Sequence, residues 1–172
     1  MTTLLNLGLG ILSGIISSYL FLIILLKNLK PKLLISNSIS QQLINGENSY
    51  LIKFINTTGV EIFDVRIELM IYTPIGDYFG GNLQGKEIKL KENFLAYISK
   101  ETKNDPHNLH AIRIRTTENI KDLWKNDSSF IRLTIIAKHS LSGINNVFIK
   151  DYLNPDAIIS KKFISGNSLE MK

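Results

Sequence analysis

Residues 4–26 form an unbroken apolar stretch, made mostly of leucine, isoleucine, glycine and serine. No acidic or basic side chain occurs before Lys27. As an α-helix the stretch is roughly 34 Å long at about 1.5 Å per residue, which matches a bilayer hydrocarbon core of about 30 Å. A cleaved signal peptide has a positively charged start, a shorter apolar run and a small-residue cleavage site, and this stretch has none of them. The sequence therefore predicts one transmembrane helix.

The residues that follow this stretch predict its orientation. Lys27, Lys30 and Lys32 come directly after it, and no acidic residue occurs until Glu47. Basic residues on one flank keep that flank in the cytoplasm. We therefore expect a single-pass protein of the cell (inner) membrane with its N-terminus outside, its C-terminal domain cytoplasmic and its three lysines at the membrane surface. Pro31 is expected to stop the helix.

The apolar stretch also contains small residues at helical spacing. Gly10 and Gly14 form a GxxxG element, and Ser18 continues the same helix face. Small residues at this spacing let two helix backbones approach closely in lipid. Self-association through this face, giving a homo-oligomer, is our hypothesis; the alternative is that glycine and serine are simply common in membrane helices.

Residues 33–172 are predicted to be one domain, with residues 1–32 as anchor and basic juxtamembrane segment. The 172-residue chain has no cysteine, which excludes thiolate zinc sites, thiol nucleophiles and disulfides. Its net charge of +5 comes from scattered lysines and arginines. Scattered charge of this kind suits an anionic lipid surface, and no nucleic-acid partner is predicted.

After residue 32 the apolar residues alternate, which is typical of strands with one buried face. Residues 63–72 give the clearest pattern, with inward positions predicted at Phe63, Val65, Ile67, Leu69 and Ile71. In residues 50–56, Tyr50, Ile52 and Phe54 share one face, and Leu51, Lys53 and Ile55 share the other. Further strands are predicted at 33–39, 86–91, 94–99, 111–116, 130–137, 146–152 and 157–164.

Many short strands separated by turns predict an all-β domain, and an immunoglobulin-like β-sandwich is the first choice. One helical turn is predicted within residues 118–125, where Ile120, Leu123 and Trp124 share a face. Residues 73–85 form the longest predicted loop, which is either a binding loop or a simple hairpin excursion. No flexible linker separates the helix from the domain, so the domain is expected to lie close to the bilayer.

No catalytic or metal-binding motif is evident. His107 and His110 form a His-x-x-His pair that His139 could join, but an exposed loop is the better interpretation because zinc needs three or four ligands in a defined geometry. A Ser-His-Asp triad has no nucleophile elbow to support it, and no phosphate loop or paired carboxylates occur. We expect no enzyme activity and no cofactor.

Arg113 and Arg115 alternate along one predicted strand, so their side chains are expected on the same outward face. They are a candidate anion-binding pair, and Lys100, Lys103 and Lys121 lie near them in sequence; a simply solvated strand face is the alternative. Glycosylation sequons begin at Asn56 and Asn126, and in a cytoplasmic domain they are chance matches.

The run Phe130-Ile131-Arg132-Leu133-Thr134-Ile135, with Tyr152, Asp156 and Phe163 after it, resembles the late strands of the cytoplasmic domain of inward-rectifier potassium channels. The resemblance covers residues 130–163 and implies an immunoglobulin-like sandwich attached directly to membrane helices. Channels of this family need two membrane helices around a carbonyl-lined filter. This chain has one predicted span and no Thr-Val-Gly-Tyr-Gly sequence, so no channel activity is implied.

Two functions from different classes remain open. The first is a membrane-tethered interaction module whose sandwich binds a protein partner or its own copies. The second is a membrane effector, in which ligand or partner sensing by the β domain, with Arg113 and Arg115 as contacts, clusters the helices and disrupts the bilayer. A third possibility, an enzyme outside the cell, requires the orientation that Lys27, Lys30 and Lys32 oppose.

Overall fold

The computed structural model describes residues 2–76, 81–103, 105–126 and 128–172, apart from the side chain of Leu5. An N-terminal helix, α1 (Thr2–Asn28), is long and apolar enough to cross a membrane, and none of the described residues buries its most apolar part. Its 27 residues correspond to roughly 40 Å at about 1.5 Å per residue. The helix ends at Asn28. Pro31 follows three residues later, a position beyond the helix end where proline is common.

The rest of the described chain is mostly β-strand and forms two five-stranded sheets. The first sheet contains β1 (Leu33–Ile35), β2 (Ile39–Ile44), β3 (Glu47–Asn56), β7 (Ala111–Thr116) and β10 (Ile158–Ile159). The second sheet contains β4 (Ile62–Ile75), β5 (Asn82–Glu87), β6 (Phe94–Ile98), β8 (Phe130–His139) and β9 (Asn145–Tyr152). One helical turn, α2 (Ile120–Leu123), connects β7 to β8, within the predicted residues 118–125.

Each sheet has one central strand that pairs with three others. In the first sheet β3 pairs with β7 on one side and with β1 and β2 on the other; in the second, β4 pairs with β8 on one side and with β5 and β6 on the other. All of these pairs are antiparallel, and β9 continues the second sheet beyond β8. A short parallel pairing joins β10 to β2.

One hydrophobic core lies between the sheets. Ile52, Phe54 and Ile114 of the first sheet join the same buried cluster as Val65 and Leu133 of the second. The predicted inward face of residues 63–72 is confirmed except at Phe63, which is 39% exposed. The β4–β8 register shifts between Phe63 and Arg66, and Asp64 has a φ of +49°. This β-bulge turns Phe63 outward, and Ile62 takes the inner position.

Three strand predictions are wrong in extent. Residues 33–39 are not one strand, because β1 ends at Ile35 and the separate strand β2 starts at Ile39. Asn45 and Gly46, with φ of +52° and +80°, form the turn that joins β2 to β3, and Asn-Gly is the sequence signal for such a hairpin. The strand predicted at 86–91 is β5 at Asn82–Glu87, whose residues are all exposed and give no alternation. Of the strand predicted at 157–164, only the two residues of β10 are a strand in the structure.

The predicted long loop 73–85 is mostly hairpin. β4 continues to Ile75 and pairs with β5, so the strands account for most of it. Residues 77–80 lie outside the described residues. The described part therefore corresponds to the hairpin alternative rather than to a long binding loop.

Candidate functional site

The predicted helix-helix face lies in the middle of α1. Gly10 and Gly14 have no atom within 4 Å of the position a Cβ would occupy, beyond the helix's own neighbouring backbone, and Ser18 is exposed. The three positions are four residues apart and lie along one side of the helix. A second helix backbone could approach this side without meeting any described part of the same chain.

The basic segment after α1 is hydrogen-bonded to the domain and is not a loose linker. The Ser142 hydroxyl donates to the Leu29 carbonyl at 2.7 Å, and the Asn146 amide donates to the Pro31 carbonyl at 3.2 Å. The Lys32 N–H donates to Thr58 Oγ1 at 2.8 Å, and the Lys32 carbonyl accepts from the Thr57 N–H at 3.0 Å. These bonds fix the backbone of residues 29–32, which include Lys30 and Lys32, against one end of the two sheets, while Lys27 lies in the last turn of α1.

We call this end the helix-side end. It consists of the connecting residues 57–61, 99–103, 105–110 and 140–144. The strand termini next to these connections are Asn56, Ile62, Ile98, Ala111, His139 and Asn145. The pairing register brings these termini together, since Ile62 pairs with both Ile98 and His139, and Ile55 pairs with Ala111. The opposite end carries the β2–β3 turn and α2.

The arginine pair lies on β7, as predicted, but its members have different surroundings. Arg115 Nη2 lies 3.1 Å from Glu47 Oε2, and Arg115 Nε donates to Ser49 Oγ at 3.0 Å. Arg113 is exposed, and its Nη2 donates at 3.4 Å to the carbonyl of Ile164. Arg115 is therefore engaged within the chain, while most of the hydrogen-bonding capacity of Arg113 faces outward.

Both arginines border a groove of about 370 Å³ at the β7 edge. It is also lined by the apolar residues Leu95, Ile112 and Ile114 and by the charged residues Lys91 and Glu92. The groove has more basic than acidic groups, so an anion is the ligand class that fits its charge.

The lysines near these arginines in sequence do not form one cluster with them. Lys100 and Lys103 precede β7 at the helix-side end, whereas Lys121 lies in α2, which follows the other end of β7. The six residues of β7 separate the two groups by roughly 20 Å at about 3.3 Å per residue. Lys100 and Lys103 therefore lie at one end of β7 and Lys121 at the other.

Sequence reasoning did not anticipate the surroundings of Lys53. The side chain is on the face of β3 opposite Ile52 and Phe54, as predicted, yet it is fully buried. Its Nζ donates to the carbonyls of Ile164, Gly166 and Ser168 at 2.7, 2.6 and 2.7 Å. Burial, and then the charge of Arg113, lowers the pKa of Lys53 to about 8. Three acceptors match the three protons of an ammonium group, which is the form retained at pH 7.

The three histidines have separate roles. The His139 ring accepts hydrogen bonds from the backbone N–H groups of Leu141 and Ser142, within the β8–β9 turn. His110 is buried and contacts the side chain of Asn167. Near His107, hydrogen bonds from the backbone of Leu109 and then of His107 lower the pKa of Asp105. Among the described residues, no group of three or more metal-ligating side chains is placed to hold a metal ion.

The first sequon is buried. The Asn56 side chain is fully buried, and its Nδ2 donates to the carbonyls of Val60 and Ser99, both at 3.0 Å. The folded domain therefore does not present this nitrogen for glycosylation. The second sequon, at Asn126, includes residue 127, which lies outside the described residues.

Comparison with models of known protein families finds no match, and comparison with curated proteins finds no similar sequence.

Proposed function

We propose that this chain is a single-pass protein of the cell (inner) membrane, in which α1 anchors an interaction module at the cytoplasmic face. The module binds a protein partner or further copies of the chain, and the copies self-associate through Gly10, Gly14 and Ser18. The observation that carries the proposal is an apolar helix that no described residue of the chain buries, joined by hydrogen bonds to a folded two-sheet domain. Such a helix is stable when lipid covers it.

Anchoring and orientation are tested together with a single-cysteine variant, because the chain has no cysteine of its own. Leu153→Cys places a thiol on the domain at a position that is 70% exposed. We expect the full chain to stay with membranes after alkaline extraction. We also expect the thiol at position 153 to react with a membrane-impermeant maleimide only after cells are opened. Recovery in the soluble fraction contradicts the anchor, and labelling of intact cells contradicts the orientation.

Self-association is tested with a matched set of glycine variants. Gly10→Ile and Gly14→Ile place bulk on the proposed face, whereas Gly8→Ile adds the same bulk on another side of α1, because helix positions advance about 100° per residue. In a membrane reporter assay we expect the first two variants to weaken dimerisation and Gly8→Ile to leave it unchanged. Equal behaviour of all three variants excludes this face as the interface.

We also propose that the two-sheet domain is an immunoglobulin-like sandwich. The order β2–β3–β7 in one sheet and β5–β4–β8–β9 in the other supports this, because it corresponds to strands A-B-E packed against C′-C-F-G. The resemblance of residues 130–163 to inward-rectifier cytoplasmic domains implies the same fold and stays a prediction. An experimental structure with a different sheet assignment for β7 would refute the proposal.

The groove beside Arg113 supports the membrane effector as a second candidate, since its lining has more basic than acidic residues and fits an anionic ligand. The test is dye release from vesicles that contain the full chain, with a panel of nucleotides as anionic probes. Release that requires a nucleotide and disappears in Arg113→Gln identifies an effector. Intact vesicles with every probe leave the interaction module as the function.

A further inference from the structure

We infer that the helix-side end of the domain is itself a membrane-binding surface, with the β8–β9 turn inserted among lipid headgroups and Leu141 at its tip. This inference rests on the proposed membrane anchor. It adds a second point of attachment, which fixes how the domain stands on the bilayer.

The first step is the position of the turn relative to α1. The carbonyl that Ser142 binds belongs to Leu29, three residues after the apolar stretch ends at Leu26. Three residues add about 4.5 Å along a helix, while each headgroup layer is roughly 6 Å thick. If α1 spans the hydrocarbon core, the Ser142 hydroxyl lies within the headgroup layer. Leu141, the neighbouring residue, then lies in or next to the same layer.

The second step is the shape of the turn. The His139 N–H donates to the Ile144 carbonyl at 3.0 Å, and the Gly143 N–H donates to the His139 carbonyl at 2.9 Å. Gly143 has a φ of +69°, which closes the turn in the left-handed region. With the His139 ring also bound to the turn backbone, Leu141 is held at the tip of a short, defined turn and is 75% exposed.

The third step is charge. Lys100 and Lys103 line a hollow of about 340 Å³ at the same end, together with Thr57, Thr58 and Gly59. Thr57 and Thr58 are the residues bonded to Lys32, so this hollow adjoins the basic juxtamembrane segment. Glu101 also lines it, and Lys100 Nζ lies 3.9 Å from Glu61 Oε1, so the net positive charge here comes from Lys27, Lys30 and Lys32 beside this end. Lysines near a bilayer are attracted to anionic headgroups, so the occupant of this surface is the anionic lipid of the same membrane.

Exposed leucine alone does not define a lipid contact. Leu43 and Leu153 are 75% and 70% exposed at the opposite end of the sheets, away from the hydrogen bonds that hold residues 29–32. The β9 strand, eight residues long, separates Leu141 from Leu153 by roughly 25 Å. The two leucines are therefore a matched pair, of equal chemistry and similar exposure, that differ in distance from the helix.

The experiment labels Leu141→Cys and Leu153→Cys, in the full chain, with an environment-sensitive NBD dye. Each protein is reconstituted into vesicles of phosphatidylcholine with or without phosphatidylglycerol and recovered by flotation. We expect blue-shifted emission at residue 141 and about twofold stronger quenching by headgroup nitroxide lipids than at residue 153. Lys100→Glu combined with Lys103→Glu should reduce this difference in phosphatidylglycerol vesicles, and the control Lys121→Glu should leave it unchanged.

The outcomes separate this inference from the proposed function. Protein that fails to float with vesicles contradicts the membrane anchor itself. Protein that floats but gives equal emission and quenching at residues 141 and 153 overturns the membrane-binding surface and leaves the anchor intact. If the difference between residues 141 and 153 is the same with and without phosphatidylglycerol and in the lysine variants, the role given to Lys100 and Lys103 is overturned.

Discussion

The outer faces of the two sheets differ in what covers them. On the first sheet, Leu51, Lys53 and Ile55 of β3 are all buried, and residues 164–168 of the C-terminal segment lie over Lys53. On the second sheet, Val147 and Ile149 of β9 are exposed. We call these the covered face and the open face. Alternating sequence predicts which side chains share a face, but it does not tell whether another part of the chain covers that face.

Among the variants that are expected to fold, the largest effect is on the covered face, from Lys53→Met. Methionine keeps much of the length of the side chain but leaves the carbonyls of Ile164, Gly166 and Ser168 without their donor. Hydrogen bonds to a charged group contribute about 1.5–3 kcal/mol each and are partly replaced by water, so we expect a loss of about 3 kcal/mol in unfolding free energy. Urea denaturation of the full chain in detergent measures it.

The control for this substitution is Lys138→Met on the open face. Lys138 Nζ lies 3.7 Å from Asp64 Oδ2, and both side chains are partly exposed. An exposed ion pair contributes about 0–1 kcal/mol, so the control should stay within that range. Equal losses in the two variants would show that Lys53 has no special role and that the covered face behaves like the open one.

A second prediction concerns the segment that covers Lys53. Phe163 is buried and pairs with Met171, and the Lys162 and Lys172 backbones bond to each other, so the segment folds back on itself. If its carbonyls are the partners of Lys53, removing residues 163–172 should make Lys53→Met nearly harmless. We expect a coupling energy of about 3 kcal/mol in this double-mutant cycle, since the loss seen in the full chain nearly vanishes in the truncated one. Additive losses would place the partners of Lys53 elsewhere.

The sequence was sufficient for the elements with strong periodicity. It predicted α1 from the length of an uncharged apolar stretch, and it predicted β7 and most of β3, β4 and β8 because their apolar residues alternate. It did not predict the burial of Lys53, because residues 160–172 have no regular pattern and their place over β3 is set by carbonyl groups that every residue carries. The bulge at Asp64 was missed for a related reason, since a local backbone change moves Phe63 without altering the pattern.

A smaller effect is expected at the Arg132–Asp151 pair on the open face. Arg132 Nε and Nη2 donate to the two Asp151 oxygens at 2.7 and 2.8 Å. The hydrogen bond and charge of Arg132 lower the pKa of Asp151 below its usual 3.8. Because the folded-state pKa is the lower one, the pair stabilises the protein above pH 4 and loses this effect as pH falls through the lowered pKa. Both side chains are about one-third exposed, so Asp151→Asn should cost at most about 1 kcal/mol.

The pH profile makes this prediction specific. The difference in unfolding free energy between the wild-type chain and Asp151→Asn should be constant from pH 5 to pH 7 and shrink below pH 4. A difference that persists at pH 2 would mean that Asp151 acts through shape and hydrogen bonding rather than through its charge.

The smallest effect is expected from Ile149→Lys on the open face. Ile149 is 58% exposed and pairs with Thr134 on β8, so the substitution removes little buried apolar area and should change stability by less than about 0.5 kcal/mol. The buried counterpart on the covered face, Ile55→Lys, should prevent folding, because it places a charge at a position that is 2% exposed. Circular dichroism with thermal melting of both variants compares the two faces directly. A large loss for Ile149→Lys would contradict the contrast between the covered face and the open face.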